Sequence, residues 1–413
     1  MKLNQSYTIV CLLFGLCAIF NCTEQIALST ENFEDLLVVE ATITDEFKTQ
    51  EIKITHTYLL ESDAPIIDAG AVVQVQTANA IYNFHHVGNG VFYSDQEFQA
   101  LDGETYQLLI TTSDGEKYSS NPEELASKAG IENLYAERMS IGEEEGIQVF
   151  VDTNNDLNGA NFFRYEYEET YKIVPEYYRV NDAVISNIVW NGRNETDSGE
   201  DRTYDIDFVD RPENQGSCYG ANTSNEIIIT NINSLSESRI TRFPIKFISS
   251  TSSSLRDRYS ILVKQYVQSA TANTFYKILK ELGGSSESVF VTNQPGFVQG
   301  NIFSQQNIEN KVVGFFDVST VTSKRIYFNY FDFDLVLPPY YFNCEIIELD
   351  YQKKGRLIPP QEDERSRLLE LLTENNPPFK YVSRSEDVYQ IVKSECGDCS
   401  TFASNIKPEF WED

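Results

Sequence analysis

The chain has 413 residues, 63 acidic against 32 basic side chains, a formal charge of −31, and 41% hydrophobic with 13% aromatic content. That length passes the size at which a single core stops growing, so two domains are the default, and the apolar content rules out a disordered chain. A field of this sign repels phosphate backbones and anionic lipid, which argues against nucleic acid as a partner.

Residues 1–21 read as a lipoprotein signal peptide. An apolar run from about Tyr7 to Phe20 is too short for a membrane span, which needs about 20 residues, but suits a secretory h-region. Ile19, Phe20 and Asn21 form a degenerate lipobox before Cys22, which is expected to be the lipidated first residue of the mature chain; Cys17, preceded by Leu16, is the rival. Loss of residues 1–21 removes one lysine and leaves −32. Residues 22–34 form the expected tether.

Strand signals then begin. Leu36 to Ile43 is β-rich, Glu51 to Thr55 alternates with period two, and Ala71 to Thr77 with Ile81 to His85 forms a hairpin. Asn89-Gly90 and Asp114-Gly115 mark further turns. Short strands at this spacing predict an immunoglobulin-like β-sandwich over 35–126. Ser127 to Glu145, with Gly130, Gly142 and three glutamates, is the expected boundary. A larger mainly-β domain over 140–413, with long loops and peripheral helices, follows. Its strands are expected at Ile147–Val151, Phe162–Val174, Ile227–Ile229, Ile245–Ile248, Tyr259–Val267, Val312–Val318, Arg325–Phe331, Tyr340–Leu349 and Val388–Val392. Asn191 to Gly216 reads as a long exposed excursion. Ala272–Leu282 and Gln361–Leu372 are the two predicted helices.

Catalytic constellations are sparse, and no catalytic residue or cofactor is expected. If His85 and His86 share a strand they point to opposite faces and cannot chelate one ion, and His56 stands apart. Asp205/Asp207 and Asp332/Asp334 have the spacing that puts two carboxylates on one face of a strand, which solvated surfaces also show. Asp152, Asn154, Asp156 and Asn158 offer alternate oxygen ligands, the weak calcium candidates; an EF-hand loop would need glycine and glutamate where Leu157 and Phe163 stand. Cys218, Cys344, Cys396 and Cys399 remain after processing, an even number that predicts two disulfides with three possible connectivities. A bridge from Cys344 to the C-terminal pair would pin the tail, and Cys396–Cys399 is the alternative. Tyr165, Tyr167, Tyr171, Tyr177 and Tyr178, and Tyr327 to Phe333, are aromatic clusters that serve either packing or a ligand surface.

Taken together, Leu37-Val38-Val39-Glu40 leading to Ile43-Thr44-Asp45, Gly103 to Tyr106, Asp114-Gly115, Tyr118-Ser119, Cys218-Tyr219, Gly300-Asn301-Ile302, Val313 to Phe316, Cys396-x-x-Cys399 and Lys407 to Trp411 resemble the family named domain of unknown function 4249 (DUF4249). The resemblance spans nearly all of the mature chain. It implies an outer-membrane lipoprotein of Bacteroidota, often encoded beside TonB-dependent receptors, and implies no reaction and no catalytic residues. The expected function is a non-enzymatic accessory partner of such a receptor in nutrient uptake, membrane-bound through its lipid; the alternatives are a surface glycan hydrolase or an adhesive surface protein.

Overall fold

The computed structural model describes residues 35–413 except 58–63, 155–158, 193–201, 213–215, 233–238, 284–297, 308, 355, 358–359 and 374–377. The expected lipidation site Cys22 lies outside them, as do Asp156 and Asn158. The chain is mainly β. Its N-terminal strands are β1 (Leu37–Thr44), β2 (Glu51–His56), β3 (Val72–Gln76), β4 (Ile81–Gly88), β5 (Val91–Ser94), β6 (Thr105–Thr111), β7 (Lys117–Ser120) and β8 (Glu123–Glu124). Next come β9 (Gly130–Ile141), β10 (Glu144–Asn154), β11 (Phe162–Ile173), β12 (Asn181–Trp190), β13 (Arg202–Asp210), β14 (Cys218–Thr223), β15 (Ile228–Asn231), β16 (Arg239–Ser249) and β17 (Tyr259–Gln268). Helix α1 (Ala270–Gly283), β18 (Ile302–Ser304) and β19 (Val312–Phe328) follow. The C-terminal part holds β20 (Ile347–Asp350), β21 (Arg356–Leu357), β22 (Pro360–Gln361), α2 (Glu364–Thr373), β23 (Phe379–Ser385), β24 (Val388–Lys393) and α3 (Ser394–Gly397).

One long sheet runs in the order β14-β11-β17-β19-β1-β2-β5-β4-β3-β6-β7-β18. Its pivot is β19. The first half of β19 pairs in parallel with β1, Leu37 opposite Val312 through Thr44 opposite Ser319, and its second half pairs antiparallel with β17. Even-numbered residues of β19 face two cores on one side of the sheet. Phe316 and Val318 pack with Ile43, Ile52, Phe92 and Leu108, while Phe328 packs with Phe163, Tyr165, Tyr259 and Val149. Odd-numbered residues face the other side, where Phe315 meets Phe275 of α1. Burial on both faces explains why the start of β19, Val312 to Phe316, reads as an unbroken apolar run.

Three stretches are placed by pairings that local pattern does not show. The N-terminal unit does not close within 35–126: Ile302, Val312, Phe316 and Val318 complete its core, and β18 pairs with β7. Sequence reading misses this because the partners are far apart along the chain. The expected boundary at Ser127–Glu145 is instead β9 and the turn into β10, with Gly142 at φ +62° in the turn and Ile141 opposite Glu144. Much of β9 is exposed, so it carries no alternating apolar pattern, and pairing with β10 holds it in place. Within the expected excursion at 191–216, Arg202–Asp210 forms β13 against β12.

The two predicted helices are present as α1 and α2. Two expected strands shrink: β19 stops at Phe328 before a 3-10 turn, Tyr330–Phe333, and of Tyr340–Leu349 only the end joins β20.

Candidate functional site

Alternation along β11, β17, β1 and β2, with β19 between β17 and β1, builds one polar surface. With Phe163, Tyr165 and Tyr167 of β11 turned into the core, Arg164, Glu166 and Glu168 turn to the opposite face. Lys264 and Tyr266 of β17 lie beside them, since Glu166 pairs with Lys264 and Arg164 with Tyr266. On β1 and β2 the same rule places Glu40, Thr42 and Lys53 outward while Val39, Ala41, Ile52 and Ile54 are buried. Helix α1 roofs one end with Phe275, Tyr276 and Leu279, and Ser224–Ile228 forms a side wall. The result is a cavity of about 880 Å³.

Charges of both signs line it. Arg164, Lys48, Lys53 and Lys264 meet Glu40, Glu51, Glu166 and Glu226. Each cation has a partner: Lys53 with Glu40 at 3.2 Å, Lys264 with Glu168 at 2.5 Å, Lys48 with Glu46 at 2.6 Å, and Arg164 with Glu166. The Arg164 guanidinium lies 4.4 Å from the ring centre of Tyr266 and 5.0 Å from that of Tyr276, cation–π distances. Burial works against its charge, yet Tyr276, Glu166 and Tyr266 outweigh that and its pKa is raised. Its Nε is buried and unpartnered.

Behind the cavity Asp317 is fully buried and accepts hydrogen bonds from Gln268 Nε2 at 3.0 Å and Ser319 Oγ at 2.7 Å. Burial pushes its pKa up, against the pull of Ser319, Arg164 and Gln268. Sequence reasoning missed this site, because its residues come from many segments far apart along the chain. The only local signal was the charge at every second position of β11.

A second surface is apolar. The base of the β12–β13 hairpin is anchored: Ala183, Ile185 and Ile206 pack on a cluster with Leu349, Leu368 and Ile391, and Arg211 donates to Gly397 O at 2.8 Å and pairs with Asp182 at 2.6 Å. At Asn187, with φ +50°, the register shifts. Beyond it Ile188, Val189 and Trp190 are all exposed, Trp190 at 65%. Phe331 at 73% and Val336 at 84% form another exposed apolar stretch.

The remaining sequence candidates separate. Asp152 sits within β10, where Oδ1 accepts from Arg242 N at 2.8 Å and Tyr135 Oη at 3.2 Å, so its oxygens are engaged in strand contacts rather than presented by a loop. Among the described residues no group of three or more His, Cys, Asp or Glu is placed to hold a metal. His56 bonds Asp35 at 2.7 Å, His85 bonds Asp95 at 2.8 Å, and His86 packs on Phe92. Asp205 and Asp207 accept from Asn187 and Ser186 across the hairpin. Asp332 and Asp334 do not share a strand face: Asp332 accepts from Asn329 N at 2.9 Å in the 3-10 turn, and Asp334 follows in left-handed conformation. Tyr165 and Tyr167 are core residues, while Tyr171 stacks on Tyr341.

Cysteine pairing joins Cys344 to Cys396 and Cys218 to Cys399, not Cys396 to Cys399. The second bridge fastens the C-terminal tail along β14, where Tyr219 N donates to Ser404 O at 2.8 Å and Trp411 packs on Tyr219. No described helix is long and apolar enough to cross a membrane. No curated protein matches the chain. Residues 23–325 match the family model described as domain of unknown function (DUF4249), and the chain belongs to that family.

Proposed function

We propose that the protein is a non-enzymatic, lipid-anchored outer-membrane lipoprotein that docks on a TonB-dependent receptor as an accessory in nutrient uptake. The observation that carries this reading is the free half of the β12–β13 hairpin. Three consecutive exposed apolar residues ending in Trp190 are costly to leave in water, and an exposed aromatic is the kind of anchor that dominates protein interfaces. Phe331 and Val336 add a second apolar stretch. The chain's negative charge disfavours resting on anionic headgroups, so a protein surface is the better complement. A surface glycan hydrolase, the alternative, needs two carboxylates facing one another across the bond to be cut, and two of the four glutamates lining the cavity, Glu40 and Glu166, are paired with cations.

Photocrosslinkers placed at Trp190 and Phe331 in cells should capture a large outer-membrane barrel, and a crosslinker at exposed Phe47 should not. Cys22→Ala should leave the protein unprocessed or release it from the membrane fraction. Isolation as a lone monomer with no captured barrel, together with unimpaired growth of a deletion strain on every transported nutrient, overturns the proposal.

A further inference from the structure

We propose that the cavity between β1, β11, β17 and α1 binds a neutral, hydroxyl-rich ligand, a short oligosaccharide. Its volume falls in the range of about 300–1,000 Å³ that holds compact organic ligands. The lining selects among ligand classes by charge and hydrogen bonding. An anion would have to compete with Glu40, Glu166 and Glu168 for cations already paired, inside a chain of charge −31. An apolar ligand would strip water from several partly exposed ion pairs and offer them no hydrogen bond in return. A cation is drawn to Glu51 and Glu226 but offers no acceptor to Arg164 Nε, the buried donor that lacks one.

A hydroxyl group both donates and accepts. It is therefore the group that adds to paired charges without separating them: it donates to Glu51 or Glu226 and accepts from Arg164 or Lys264. Tyr93 at the rim supplies a partly exposed ring face for the apolar side of a sugar. This binding site lies apart from the β12–β13 hairpin, so it stands or falls independently of receptor docking.

The test is calorimetric titration of the full chain in mild detergent with maltotriose, cellotriose, xylotriose and chitotriose, beside spermidine, trigalacturonate and laurate. At least one neutral trisaccharide should bind saturably. Arg164→Lys, which keeps the charge and removes Nε–H, and Tyr93→Ala, on the exposed rim, should each weaken that binding about tenfold, the equivalent of about 1.4 kcal/mol. The melting temperature of Tyr93→Ala should not change, which keeps the test valid if Arg164→Lys folds poorly. Binding of none of the four, preferential binding of spermidine, trigalacturonate or laurate, or unchanged sugar binding in Tyr93→Ala overturns the proposal.

Discussion

Asn301 clasps the backbone of Phe316 from both sides: its Oδ1 accepts from Phe316 N at 2.8 Å and its Nδ2 donates to Phe316 O at 2.9 Å. The side chain thus imitates a neighbouring β-strand on the edge of β19 turned away from β1, which β17 pairs with only from Thr320 onward. Nδ2 also donates to Glu123 Oε1 at 2.8 Å, and Asn301 O accepts from Asn121 N, so the end of the N-terminal unit is tied to β19 at one residue. The backbones around the clasp are in contact. A Cβ on Gly300 would stand 1.6 Å from Gly314 O, and one on Gly314 would stand 2.2 Å from Val39 O.

Asn301→Ala leaves a buried N–H and a buried C=O of Phe316 unpaired, each costing about 1–3 kcal/mol. Chemical denaturation of the full chain should show a loss of about 2–6 kcal/mol for the two groups together, and Gly300→Ala a loss at least as large, because the obstacle is backbone. Wild-type stability in both variants would remove the clasp as a structural determinant.

The Asp317 carboxyl is held above its usual value of 3.8, first by burial, so the folded state binds its proton more tightly than the unfolded chain. Stability from this group is present in full below that value and is lost as pH rises through the folded pKa. Asp317→Asn abolishes the titration. The stability of the variant minus that of the wild type should therefore rise with pH from about 4 upwards. A difference independent of pH would contradict the assignment.

Non-reduced peptide mapping should recover Cys218–Cys399 and Cys344–Cys396 peptides with no free thiol among the four. The bridges span 181 and 52 residues of sequence. Chain-entropy arguments assign such loops about 5 and about 4 kcal/mol. Cys218→Ser with Cys399→Ser should expose the tail beyond residue 400 to protease before the body is cut.

Two tryptophans report separately on the hairpin and the tail. Trp190 is exposed, whereas Trp411 is 5% exposed between Tyr219 and Tyr327. In Trp411→Phe the remaining emission should be red-shifted and readily quenched by acrylamide. In Trp190→Phe it should be shielded until the Cys218–Cys399 bridge is reduced. Equal quenching in the two variants would be inconsistent with this placement of either ring.

Much of the local structure could be read directly from residue order. Alternation at Glu51–Thr55 and Tyr259–Val267, the Asn89-Gly90 turn and the helical period ended by Gly283-Gly284 are properties of short windows, in which the backbone and adjacent side chains suffice. The β-rich class and the oxidised cysteines were legible from composition and local pattern, whereas Gly300-Asn301 and Gly314 stood out only through the family resemblance, which did not give their purpose. What residue order left open was every relation between distant segments. Which cysteine meets which depends on where the C-terminal tail docks along β14. That β19 closes the N-terminal core, and that Arg164, Tyr266, Tyr276 and Glu40 share one cavity, depend on a parallel pairing of β1 with β19 that no local pattern encodes. Strand alternation states which side chains share a face; only the sheet order says which strands supply that face, because many arrangements bury the same residues and long-range packing selects among them.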